Sequence, residues 1–241
     1  MPSYEDILEA ARTTVDTLKE IGIDDCYFIG GMACKLYAGG RGRLPKVCYQ
    51  KTRAPVRTFI IDGRLHQDLD IVCPVTDETD DIKKRLCQEN SEFYTVKARS
   101  RRDRYNVLWY EWCNDDDELE KIKVDILTPE IAKLQLPEIH QDYIVKINKL
   151  PCAPLHLLLL HKLKAWDDRL YSRPHLRCKR PVDAKDIKYL LQHAIQRGLN
   201  IANPKPYITD AFREDSYERA RKYVQEYPLR EDDFEELGFD L

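Results

Sequence analysis

The chain has 241 residues, 43% of them apolar and 34% charged, enough for one large or two small soluble domains with a real core. No basic segment followed by an apolar run opens it, and the longest apolar run, residues 157–160, is far too short to span a bilayer. The reading is therefore an intracellular, cytoplasmic protein with no membrane partner, whose eight cysteines are reduced thiols; none stands in a C-x-x-C pair, which argues against a structural zinc site.

The net charge of −3 conceals a segregation of charge. Residues 35–57 carry seven Lys or Arg and no acid, and residues 97–104 add five more against Asp103 alone. Acidic residues cluster at 115–118 and in the tail at 231–240. The acidic runs read as solvated faces, and the basic ones equally as solvated faces or as a footprint for a polyanion.

In chain order, apolar positions Ile7, Leu8, Ala11, Val15 and Leu18 predict a helix over residues 3–20, with Ser3 as N-cap, Asp6 three residues on and Gly22 as its stop. Residues 26–29 predict a short buried strand that runs into Gly30-Gly31 and a helix ending at Gly39-Gly40. That arrangement presents backbone N–H groups at a helix N-terminus with no side chain to keep a phosphate away; a ligand-free strand-to-helix turn is the plainer alternative.

A basic excursion follows over residues 40–55. Residues 57–61 predict a strand, Asp62-Gly63 a type I′ turn, and residues from 64 onward a returning strand. In its stretch Asp68-Leu69-Asp70-Ile71, alternation puts both carboxylates on one face and Leu69 and Ile71 in the core. Two adjacent carboxylates repel, which is tolerable in open water or around a divalent cation.

A helix over 79–89 and strands over 94–98, 106–112 and 122–127 come next, the last with Asp125 opposite Val124 and Ile126. A strand over 143–147 and a linker over 150–154 separate this part from long helices at 155–171, 181–197 and 215–227. Sheet first and helices after predicts an α+β fold, with a mixed-sheet domain over 1–150 and a helical C-terminal domain over 151–241.

A strand ending in Gly-Gly before a helix, a D-x-D strand and a later strand with one Asp make a constellation. Three carboxylates on adjacent strands can hold two divalent ions roughly 3.5 to 4 Å apart, as an in-line phosphoryl displacement requires. On Gly30, Gly31, Asp68, Asp70 and Asp125 the sequence resembles the nucleotidyltransferase, or polymerase beta-like, superfamily. Residues 157–165 and 185–191 are similar to the K-L-x-A and Lys/Arg-Asp segments of its abortive-infection toxin branch. Departures are the long basic excursion, His66-Gln67 before the D-x-D, and Tyr189 where a second Asp is frequent.

The resemblance implies Mg²⁺ (or Mn²⁺) on Asp68 and Asp70, a nucleoside triphosphate such as ATP with its phosphates near Gly30 and Gly31, and transfer of a nucleotide to an acceptor hydroxyl. Asp125 completes the metal site, as the base for that hydroxyl. The acceptor is expected to be RNA, tRNA in particular, docking on the basic segments 41–57 and 99–104, with a protein or small-molecule acceptor as the alternative. A catalytically silent binding module on the same fold, and a kinase-like or nuclease activity using the same ions, are the competing classes.

Lys162 stands out on a helical wheel of residues 155–171. It falls inside the apolar stripe of Leu155, Leu158, Leu159, Leu163, Trp166 and Leu170, whereas Lys164 falls on the polar side. An ammonium there either snorkels or reaches an anion. The expectation is that Lys162 is delivered to the cleft to contact the triphosphate. Asp186 pairs with it or orients the acceptor, Asp183 is held in reserve, and Arg169 lies near the same face. Of the histidines, His66 could line the site, while His156, His161 and His193 read as ordinary helix packing.

Overall fold

The computed structural model describes residues 3–39, 68–98, 105–114, 117–129, 134–203 and 205–241. The basic excursion, the 57–64 hairpin, His66 and the basic turn 99–104 lie outside the described residues.

Helix α1 (Tyr4–Glu20) starts as its sequence dictates: the Ser3 hydroxyl accepts from the Asp6 backbone N–H while the Asp6 carboxylate accepts from that of Ser3, a reciprocal capping box. Strand β1 (Tyr27–Ile29) is buried throughout and passes without a spacer into α2 (Gly30–Tyr37). Then come β2 (Asp68–Val72), α3 (Thr79–Glu89), β3 (Phe93–Lys97), β4 (Asn106–Cys113), β5 (Leu119–Leu127), β6 (Val145–Ile147) and β7 (Leu150–Cys152). The helical part comprises α4 (Leu155–Leu170), α5 (Pro174–Arg177), α6 (Arg180–Gln196), α7 (Asp210–Glu226) and α8 (Glu231–Glu236).

The strands form one mixed seven-stranded sheet in the order β3-β4-β5-β2-β1-β7-β6. β2 runs parallel to β5 and antiparallel to β1, and β1 runs parallel to β7. The α+β class read from the sequence is the one observed. Residues 150–154, expected to be a linker, instead supply β7. Pro151 has no N–H to give, but the link to β1 is made by Ala153, whose N–H donates to the Phe28 carbonyl at 2.9 Å. A single cluster of buried apolar residues runs from Ile7 in α1 through Leu69 and Val124 to Phe239, across both parts of the chain.

The acidic tail is not merely a solvated face. Phe234, Leu237 and Phe239 are buried, and Phe234 packs edge-on against Tyr223, which in turn meets Trp166. Arg180 lies 4.0 Å above the Trp166 ring and also pairs with Glu226, so α6, α4 and α7 share one aromatic and cationic junction. The three helical histidines do pack: His156 shares a hydrogen bond with the Tyr207 hydroxyl, His161 lies against Phe212, and His193 stacks on Tyr189. Cys26, Cys34, Cys73, Cys87, Cys113 and Cys152 carry free thiols, and among the described residues no helix is long and apolar enough to cross a membrane.

Truncating a fully buried ring leaves a cavity as well as lost transfer energy, so Phe234→Ala should lower unfolding free energy by about 3 to 5 kcal/mol. Asp232→Ala, on the exposed side of the same helix, should stay within about 0.5 kcal/mol. Urea denaturation of the two variants checks this, and equal small effects would return the tail to the status of a solvated appendage.

Candidate active site

Register brings the carboxylates together. Ile29 at the end of β1 stands opposite Asp70, and Asp70 stands opposite Asp125 in β5. One step away on the same face, Asp68 stands opposite Lys123. Asp68, Asp70 and Asp125 are half-buried, while the alternating Leu69, Ile71, Val124 and Ile126 are buried.

The strand-to-helix turn fits closely against Asp70. Gly30 has φ +68°, and a Cβ there would lie 2.1 Å from Asp70 Oδ2. Glycine is required twice over, for its backbone conformation and for its missing side chain. A Cβ on Gly31 would meet nothing within 4 Å among the described residues. The N-cap of α2, Ile29, has no side chain that can cap, and the first turn carries no acid. The positive end of this helix is thus aimed at the Asp70 neighbourhood without an internal anion.

The electrostatics follow from this crowding. Burial, then the Asp125 and Asp68 carboxylates, push the Asp70 pKa up to about 7, against the opposing pull of Lys162 and Lys123. Lys123 was not singled out by the sequence reading, yet its Nζ lies 2.5 Å from Asp125 Oδ2. Partial burial opposes its charge, but Asp125, Asp68 and Asp70 together outweigh this and hold the ammonium above the ordinary lysine range. The signal was available: two residues apart on one strand, Lys123 and Asp125 must share a face. Lys179, just before α6, approaches Asp68 at 3.9 Å.

Lys162 is buried and does not snorkel. Its Nζ lies 2.8 Å from Asp186 and 3.4 Å from Asp183, and Arg169 also pairs with Asp183. Burial works against its charge, but Cys34, Asp186 and Asp183 keep the ammonium protonated well above the usual range. Cys34 of α2 lies against this group, and burial pushes its thiol up to about 12. The same ammonium is close enough to Asp70 to lower its pKa, so the pair network borders the carboxylates. Tyr189 fixes the junction from the other side, its hydroxyl donating to the Tyr37 carbonyl at 3.1 Å.

Two wheel-based expectations are corrected. Lys164 is not on a polar side: it is buried and pairs with Asp168 at 2.6 Å, because α4 is packed by α6 and α7 and also meets α2. Leu170, assigned to the apolar stripe, is 45% exposed at the end of the helix.

Among the described residues, no group of three or more His, Cys, Asp or Glu side chains converges as a full metal cage would. The donor set suits a hard cation that takes one or two protein carboxylates and fills its remaining positions with water and substrate phosphate.

The mixed sheet with its helical C-terminal part is a fold shared with a nucleotidyltransferase-like protein. The crystal structure of an antigenic nucleotidyltransferase-like protein from Paracoccidioides brasiliensis is similar, with a TM-score of 0.63 over 97% of this chain and 94% of that one, at 16% identity. At that identity the likeness shows the fold. No family model and no curated protein matches the sequence.

Gly30→Ala should destabilise by at least about 1 kcal/mol from its left-handed backbone alone, with the Asp70 clash in addition, whereas Gly31→Ala should be neutral or slightly stabilising. Equal melting temperatures for the two variants would contradict the close approach. The two lysines should also differ. Lys162→Met strands buried Asp183 beside a single remaining cation and should cost about 3 to 5 kcal/mol. Lys164→Met leaves a half-exposed Asp168 and should cost about 1 kcal/mol or less. Urea unfolding midpoints decide between this asymmetry and a common effect.

Proposed function

We propose that the protein is a metal-dependent nucleotidyltransferase that moves a nucleotide from a nucleoside triphosphate to an acceptor hydroxyl. The observation that carries this reading is Asp70. A carboxylate crowded by burial and by two others is costly to hold ionised without a further cation, and it is pressed against a bare glycine at a helix N-terminus, where an anion is favoured. Asp68 and Asp70 would hold Mg²⁺ or Mn²⁺, which when bound neutralises charge on the triphosphate and on the departing pyrophosphate. Gly30 and Gly31 let the phosphates reach the first N–H groups of α2.

In the transfer, the acceptor oxygen forms a bond to the α-phosphorus, the bond to the β-phosphate bridging oxygen breaks, and pyrophosphate leaves. Asp125 takes the hydroxyl proton. Lys162, oriented by Asp183 and Asp186, supports the site with positive charge and contacts the triphosphate. The acceptor is RNA, tRNA by preference, drawn in by the basic segments 41–57 and 99–104, and ATP is the first triphosphate to test. The abortive-infection toxin branch is the subgroup that the Lys162 and Asp186 segments favour.

One observation favours a silent binding module instead. Lys123 already neutralises Asp125, which the chemistry needs as a base. Under the transferase reading, Lys123 would have to release Asp125 for it to accept the hydroxyl proton.

The test combines stability with turnover. Because the folded Asp70 pKa lies above the ordinary carboxylate value of 3.8, the folded state binds the proton more tightly than the unfolded one. Its contribution is therefore fully favourable below about pH 4 and is lost as pH rises through about 7. Asp70→Asn should melt higher than wild type at pH 8 without metal, and that advantage should shrink by pH 5. Mg²⁺ with ATP should raise the wild-type melting temperature and leave Asp70→Asn unmoved. Transfer from labelled ATP into total RNA should disappear in the variant, and full activity there would end the proposal.

A further inference from the structure

The sheet carries a second feature on the face that bears the carboxylates. Tyr94 in β3, Trp109 in β4, Lys123 in β5 and Asp68 in β2 stand opposite one another in a single register row. Residues opposed across a sheet share a face, and at about 4.8 Å per strand Trp109 lies about 10 Å and Tyr94 about 14 Å from β2. Their alternates Leu108, Tyr110, Ile122 and Val124 are buried in the core. Trp109, Tyr94 and Lys123 are partly buried and Lys121 is exposed, so solvent reaches this row of the sheet. Lys121 Nζ hovers 5.5 Å from the Trp109 ring centre, and the Tyr94 hydroxyl donates to Glu111 at 3.1 Å, which fixes that ring on the sheet.

We infer that Trp109 and Tyr94 form a stacking platform for the unpaired terminal bases of a single-stranded RNA acceptor; this rests on the transferase reading above and adds where the acceptor lies. Strand order supplies the direction. The α2 N-terminus, which takes the phosphates, is joined to β1 on one side of β2, while Asp125, which takes the hydroxyl proton, is on β5 at the other. The acceptor hydroxyl must therefore arrive from the β5 side, and the chain behind it runs over β4 and β3, across Trp109 and Tyr94. Sheet-borne aromatics beside lysines are suited to this task, because every base has a π-face and every nucleotide a phosphate. Exposed Lys121 can leave the indole for a backbone phosphate when a base takes its place. A duplex is excluded by the same chemistry, since its bases are already stacked.

The experiment uses the full chain and a fluorescein-labelled, mixed-sequence single-stranded RNA of about twelve nucleotides, a length suited to such grooves. Anisotropy should report binding, weakened about tenfold or more by Trp109→Leu at unchanged melting temperature and largely retained by Trp109→Phe. Tryptophan emission should be quenched as RNA binds wild type, should lose that quench in Trp109→Phe, and should not respond to ATP alone. Equal affinity for Trp109→Leu, equally tight binding of the duplex, quenching by ATP alone, or no RNA binding at low ionic strength would each overturn the platform. The last is also the signature of a protein or small-molecule acceptor. Asp70→Asn separates the two ideas, since it should bind the RNA at least as tightly while transferring nothing. RNA binding through Trp109 in a wild-type protein that transfers no nucleotide overturns the transferase reading and leaves the platform. Transfer to another acceptor without RNA binding does the reverse.

Discussion

The Asp70 carboxylate against the bare α-carbon of Gly30 is the contact on which the site depends. It exists because β1 and β2 pair antiparallel with Ile29 opposite Asp70, so the end of one strand and the middle of the other reach the same place. The next residue must then turn into a helix with no room for a side chain, and Gly30 at φ +68° is the residue that can do so. The same register sets Asp125 beside Asp70 from the other flank, so the sheet fixes a carboxylate between a like charge and a helix N-terminus. Crowding of this kind opposes folding in the absence of a counter-charge, and cores do not retain it by default.

The helical part completes the site rather than standing apart from it. Tyr37 at the end of α2 donates to the Ala153 carbonyl at the start of the helical part, and Tyr189 of α6 donates back to the Tyr37 carbonyl. Between these bonds lie Cys34 and the ion pairs of Lys162 with Asp183 and Asp186. Removing any one charge from a buried set leaves the rest uncompensated, so the network favours one mutual arrangement of α2, α4 and α6. Since α2 also presents Gly30 and Gly31, that arrangement sets the position of the helix N-terminus.

Legibility in the sequence followed the range of each interaction. The capping box of α1, the Gly-Gly turn and the inward and outward alternation of Asp68, Asp70 and Asp125 depend on neighbours a few residues away, and all were readable. Strand β7 was not, because Leu150-Pro151-Cys152 has no period of its own and becomes a strand by pairing with β6 on one side and β1 on the other. Lys164 was misread because a wheel assumes one buried side, and the number of partners around α4 is a tertiary fact. The acidic side chains of the tail are mostly exposed, as read, but a reading by composition passed over the buried Phe234, Leu237 and Phe239 between them. Lys123 was legible in principle through its two-residue spacing from Asp125, and was passed over because a basic residue does not fit a search for acids.

Lys123 has the further consequence of linking both ends of the register row. Along β5 it pairs with Asp125; toward β2 it stands opposite Asp68, and toward β4 opposite Trp109. The ammonium lies 2.5 Å from Asp125, is held in its charged form by Asp125, Asp68 and Asp70 together, and stands in the same row as the Trp109 ring, so the carboxylates and the aromatic half of the sheet face share one charged residue.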